Sequence, residues 1–166
     1  MGGYFNPRSG KTGMHAFMVQ DAEEYQKPWQ VDWITGMGTL IPAKVIQTIG
    51  YWDEDNFPQY HGYTEFTYRA SLKGFKNIIS PELIIWNDIS NIGLSHQDSF
   101  RTLLKLLSDK RSLYYLKVNL KFHRKYAKSI FAYQFLISRY FRLFAGFFKW
   151  KIFSLFSRKR KDPLSQ

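Results

Sequence analysis

Glu65 and Arg69 stand one helical turn apart, preceded by His61 and Tyr63, in the stretch Tyr60-His61-Gly62-Tyr63-Thr64-Glu65-Phe66-Thr67-Tyr68-Arg69. A carboxylate within hydrogen-bond reach of a hydroxyl can act as a general base, and a nearby cation can stabilise developing negative charge. Upstream, Val31-Asp32-Trp33-Ile34-Thr35-Gly36-Met37-Gly38 supplies an indole face, a hydroxyl and two glycines that let backbone approach a ligand. Each group also has a plainer reading. Glu65 suits the first turn of a helix, where the dipole favours an acid, and Arg69 suits an ion pair with it. Trp33 fits a core as well as a ligand platform, and a loop His61 is satisfied by solvent. Tyr63 is a poor base at neutral pH, because an unperturbed phenol titrates near about 10.

Other chemistries are weaker or excluded. The chain has no cysteine, which removes disulfides and thiolate metal sites. His15, His61, His96 and His123 are scattered, and none pairs with another at metal-ligand spacing. Gly10-Lys11-Thr12 has the look of a phosphate-binding loop, but Phe5 stands where the first glycine of that motif is required.

Punctuation by Gly and Pro sets the elements that must position these groups. Residues 1–30 read as loop with at most one short strand. Residues 31–41 read as a strand interrupted at Gly36 and Gly38, and 42–49 as a short helix with Pro42 in its first turn and Gly50 at its end. Residues 52–60 read as an acidic loop in which Asp53 and Asp55 are turn acids. A second helix spans 65–73 and Gly74 closes it; short strands follow at 75–79 and 83–86, then a loop over 87–98. From Ser99 the pattern is helical. The fold class expected is α/β: a partial sheet with short helices over 1–98, then a mostly helical tail over 99–166.

The series from Val31 to Phe75 resembles the C-terminal half of the catalytic domain of family 2 glycosyltransferases of GT-A type, especially rhamnosyltransferase-like bacterial members. The matching pieces are Val31-Asp32-Trp33, Thr35-Gly36, Ile49-Gly50-Tyr51-Trp52-Asp53, Tyr60 to Phe66, Arg69-Ala70 and Lys73-Gly74-Phe75. The resemblance implies transfer of a sugar from a nucleotide-sugar donor to a polysaccharide or lipid-linked acceptor. It makes Glu65 the candidate catalytic carboxylate, with Trp33, Thr35, Gly36, His61, Tyr63 and Arg69 as candidate substrate-binding residues. The family usually carries Asp where Tyr63 stands, and that acid is its expected base. A divalent metal, Mg or Mn, is expected for the full-length family, on Asp-x-Asp ligands of a donor-binding half that this chain does not match. The chain then reads as a fragment of such an enzyme, a split gene product whose partner is a separate chain carrying that half, or a decayed enzyme, inactive alone.

Charge is unevenly spread. Residues 1–100 hold 7 basic and 11 acidic side chains, whereas 101–166 hold 17 basic and 2 acidic, within a total of 24 and 13. Lys117, Lys121, Arg124, Lys125 and Lys128 share one helical face, and residues 140–156 are dense in Phe, Leu and Trp. Such a tail suits the plane of an anionic membrane, where cations snorkel and aromatics favour the headgroup level. It also suits a helical pair packed on the donor-binding half that the chain does not match, with its cations solvated. Cations at 139, 142, 149 and 151 interrupt the apolar run, so a membrane span is not expected. The start shows neither a signal-peptide pattern nor a myristoylation signal. The apolar density of 140–156 argues against nucleic acid as the partner. The expected location is the cytoplasmic face of the bacterial inner membrane, held peripherally. A non-catalytic membrane-surface module assisting a partner transferase is the alternative.

Overall fold

The computed structural model describes residues 2–17, 19–20, 22–86 and 99–159, without the side chains of Tyr60 and of 155–159. The loop expected over 87–98 and the basic pair Arg160-Lys161 lie outside the described residues.

The chain opens on a hairpin, where loop was expected. Strand β1 (Gly2–Phe5) runs antiparallel to β2 (Thr12–Met14), with Gly3 opposite Met14 and Phe5 opposite Thr12. Its connection is closed by Asn6, whose Oδ1 accepts the backbone N–H groups of Arg8 and Ser9, both at 3.0 Å. Gly10 completes the turn at φ +70° and lies against the Ala132 backbone, where a Cβ would meet the carbonyl. Gly2 and Gly3 read locally as turn residues. Here they let the strand pass beneath Trp33, whose ring leaves no room for a Cβ on Gly3.

The strand expected over 31–41 is split. Strand β3 (Trp29–Val31) and β4 (Trp33–Ile34) join different sheets, and Asp32 is the switch between them. Its carboxylate accepts the Phe5 N–H at 2.8 Å, and its own N–H donates to the Gly3 carbonyl at 2.9 Å. β4 pairs antiparallel with β1, giving the order β2-β1-β4. β3 pairs antiparallel with β5 (Asn77–Ile79). The second strand expected, over 83–86, does not form; Leu83, Ile84, Ile85 and Trp86 have no regular structure and are exposed.

Helix α1 (Ala43–Ile49) starts directly after Pro42 and ends at Gly50, which takes φ +78°. Helix α2 (Tyr60–Leu72) begins five residues before the expected start, so His61 and Tyr63 are helical rather than in a loop. The tail forms three helices: α3 (Phe100–Ser108), α4 (Leu116–Tyr126) and α5 (Phe131–Lys159). Ser99 caps α3 by accepting the Thr102 N–H at 3.2 Å. The 29 residues of α5 extend about 44 Å.

Three apolar clusters hold this together. Val45, Phe66 and Ala70 join α1 to α2, with Trp52 stacked on Phe66 at 4.2 Å. Phe5, Trp33 and Tyr68 join the sheet to α2 and also receive Phe122 and Tyr126 from α4. Leu103, Leu106, Leu143 and Phe147 join α3 to α5. The second cluster crosses the boundary expected at 98/99, so α4 shares a core with the sheet.

Candidate functional site

Helix α2 lies on β4, and its sides present different residues to different neighbours. Thr67 faces the strand. Its hydroxyl accepts the Ile34 N–H at 2.9 Å and donates to the Tyr63 carbonyl at 2.7 Å. From β5, Asn77 donates to the Asp32 carbonyl at 2.8 Å and the Thr67 carbonyl at 2.9 Å. These bonds knit the Val-Asp-Trp segment, the aromatic helix and the strand after Gly74 into one unit. Asn77 is buried, and the Asp32 and Thr67 carbonyls would lose these partners without it.

Glu65 has no exposed surface. Its Oε1 accepts from Lys125 Nζ at 2.8 Å, Tyr126 Oη at 2.5 Å and Arg69 Nε at 3.2 Å. Arg69 spends its other nitrogens on the carbonyls of Ile49 and Tyr51 and lies over the Phe66 ring. Lys125 also reaches Asp53 at 4.0 Å, and Asp53 closes its own turn through Asn56. The carboxylate, expected as the candidate catalytic group, thus holds α4 and the residue 49–51 segment against α2. It would reach a substrate hydroxyl only if Lys125 and Tyr126 withdrew. Burial, with the hydrogen bond to Glu65 and its charge, pushes the Tyr126 phenol well above its ordinary range, so it stays a donor.

The remaining candidates divide into two places. Tyr63 is partly exposed and covers Gly36, where a Cβ would enter its ring. Thr35, beside Gly36, accepts the Thr39 hydroxyl on its carbonyl. Trp33 and His61 line a different space, and neither Glu65 nor Arg69 reaches it. Trp33 is a core residue, 7% exposed, and its indole N–H has no acceptor among the described residues. The His61 ring meets the Ser112 carbonyl at 3.0 Å, and burial lowers its pKa.

That space is a cavity of about 770 Å³ between the β1–β2 hairpin, α2, α4 and α5. Its walls include Phe122, Phe135, Leu143 and Phe147, and its cations are Arg139 and Arg142. None of its lining residues is acidic. Arg139 donates to Asn119 and to the Leu113 carbonyl, and lies over the Tyr114 ring. Arg142 donates through Nε to the Ser138 carbonyl, one turn back.

The sequence reading did not find Lys125, Tyr126, Asn77 or Arg139 as members of these networks. Lys121 and Lys125 were expected on a solvent- or membrane-facing stripe. Lys121 instead donates to Asn56, and Lys125 to Glu65. The signal was present in charge alone: Glu65 is buried and Asp53 half-buried, both draw cations from elsewhere, and the tail holds the surplus.

The outward face of α5 is apolar. Ile137, Phe141, Phe148 and Ile152 are all exposed and recur at i, i+4, i+11 and i+15, one stripe of the helix. Arg142 and Lys149 border it on one side and Lys151 on the other. Among the described residues no helix is long and apolar enough to cross a membrane. Nor does any group of three or more His, Asp or Glu among them suit a metal ion, so the described residues do not fit the metal expected for the family.

No family model matches the chain, and no curated protein or solved structure is detectably similar to it.

Proposed function

We propose that this chain is the acceptor-side portion of a family 2, rhamnosyltransferase-like glycosyltransferase that works on a polysaccharide or lipid-linked acceptor at an anionic membrane surface. The observation that carries this reading is the convergence of the ordered motifs on α2. Val31-Asp32-Trp33, Tyr60 to Arg69 and Gly74-Phe75 to Asn77 belong to a single hydrogen-bonded unit around that helix. That coherence supports treating the matching segments as one unit. The donor nucleotide sugar and any divalent metal then belong to a donor-binding half outside residues 1–166, in the same protein or in a partner chain. The outward stripe of α5 and its bordering cations support a peripheral seat on the cytoplasmic face of the bacterial inner membrane.

Within this reading, Glu65 acts first as a positioning group. It holds Lys125 beside Asp53, in a groove completed by Asn56, Phe57, Lys121 and Arg124. Tyr63 occupies the position of the usual base without its basicity. This favours the second reading, a non-catalytic module that holds the acceptor for a partner transferase. The two separate in one experiment. Membranes from cells lacking the chain are supplied with labelled nucleotide sugars, with and without added protein. Label entering the lipid or polysaccharide fraction only on addition, and lost in Glu65→Gln protein that remains folded, supports a catalytic role. Label restored equally by Glu65→Gln supports the assisting module, and no dependence on the chain refutes both.

A further inference from the structure

The cavity behind α5 has features that the transferase reading does not use. Its lining is mostly apolar, with His61, His123, Asn119, two threonines, two arginines and no acid. Neither Arg139 nor Arg142 takes part in an ion pair among the described residues, where the carboxylates engaged are Glu65, Asp109 and Asp53. Arginines usually balance their charge with a carboxylate or phosphate, which their fork matches in shape. Two guanidinium groups match the charge of a phosphate monoester, about −1.5 to −2 at neutral pH.

Gly146 is a second, independent pointer. It lies inside α5, where glycine costs about 1 kcal/mol relative to alanine. A Cβ built there meets nothing within 4 Å beyond the helix's own turns, and Gly146 lines the cavity wall. No packing contact therefore requires glycine there, and a larger side chain would enter the space beside the cavity wall. Its volume of about 770 Å³ falls within the usual range for small-molecule sites, about 300–1,000 Å³. Arg142 lines the cavity and, seven residues before Lys149, borders the outward apolar stripe.

We propose that this cavity binds a single-chain amphiphile bearing a phosphate, its head held by Arg139 and Arg142 and its chain lying along Phe135, Leu143 and Phe147. The proposal rests on the reading of the chain as an acceptor-side unit, for which it names the acceptor's chemistry. It is tested by binding alone, so a failure of transfer leaves it standing, and its own failure leaves transfer standing.

The experiment is calorimetric titration of the full chain with dodecyl phosphate below its micellar concentration, alongside dodecanol and inorganic phosphate. Saturable binding of dodecyl phosphate is expected, at least about tenfold tighter than either control, since one charge-assisted contact is worth roughly that factor. Arg142→Gln should weaken it about tenfold. Gly146→Leu should abolish it while the melting temperature holds or rises, because leucine is the better helix former and fills the space. Absence of saturable binding overturns the proposal. So does equal binding of dodecanol, which would make the site merely apolar, or of inorganic phosphate, which would make the ligand a free anion. Undiminished affinity in Gly146→Leu places the ligand elsewhere and overturns it as well.

Discussion

Replacing Glu65 by glutamine removes the charge on which two cations and a phenol converge. Glu65 is fully buried, while the side chains of Lys125 and Arg69 are 40% and 19% exposed. Removing one partner of a fully buried ion pair costs about 3–5 kcal/mol. Lys125 can recover much of its hydration, so the expected cost of Glu65→Gln is smaller, about 2–3 kcal/mol. For a chain of this size that lowers the melting temperature by about 4–12 °C. Lys125→Met keeps the stem and leaves Glu65 its bonds from Arg69 and Tyr126, so about 1 kcal/mol is expected. The double variant should fall short of the sum by at least about 1 kcal/mol, since both changes break one contact. Urea unfolding followed by circular dichroism measures all three. Additivity within about 0.5 kcal/mol would refute the claim that Glu65 and Lys125 are coupled, and with it the positioning role of Glu65.

Three further outcomes follow from the same geometry. Asn77→Ala strips two buried carbonyls of their donor and should cost about 2 kcal/mol in the same unfolding assay; a near-neutral result would mean that the motif segments are not held together there. Phe141→Glu and Phe148→Glu should each reduce sedimentation with vesicles containing phosphatidylglycerol by about tenfold or more, with unchanged melting, because both side chains point outward. Acid should destabilise the fold through His61 and His123. Burial is the main cause of both depressed pKa values; the Ser112 and Asn119 carbonyls and the Gly10 backbone oppose it, and Arg139 adds to it. The unfolded chain therefore binds protons first. The stability these residues contribute is present above the unfolded value of about 6.5 and lost as pH falls below it through their lowered folded values. His123→Asn should flatten the slope of urea midpoint between about pH 7.5 and pH 5.5, and an unchanged slope would contradict this assignment.

The local signals read well from the sequence. Pro42 and Gly50 bracket α1, Gly74 follows α2, and Ser99 opens the helical part, because caps and breakers act through their own backbone. The β1–β2 hairpin was not legible. Its glycines signal a turn unless Trp33 is known to lie above them, and that contact joins residues thirty positions apart. The same holds for the site. Glu65 and Arg69 were legible as an i, i+4 pair, but Lys125 and Tyr126 reach Glu65 across sixty residues. Lys125 shares a helical face with cations that read as a membrane-facing stripe, and only the packing of Phe122 against Phe5 turns that face inward. The cavity is walled by residues from the hairpin, α2, α4 and α5, and such a juxtaposition carries little sequence signal.

The central claim is that α2 and α5 together form the side of a transferase that meets its acceptor at a membrane. Hydrogen exchange compares the chain on anionic vesicles that carry lipid-linked glycan with the chain on the same vesicles without it. Slower exchange on glycan addition, concentrated in residues 60–72 and 131–147, is the result expected. Equal exchange in both samples, with the chain fully vesicle-bound in each, would contradict it.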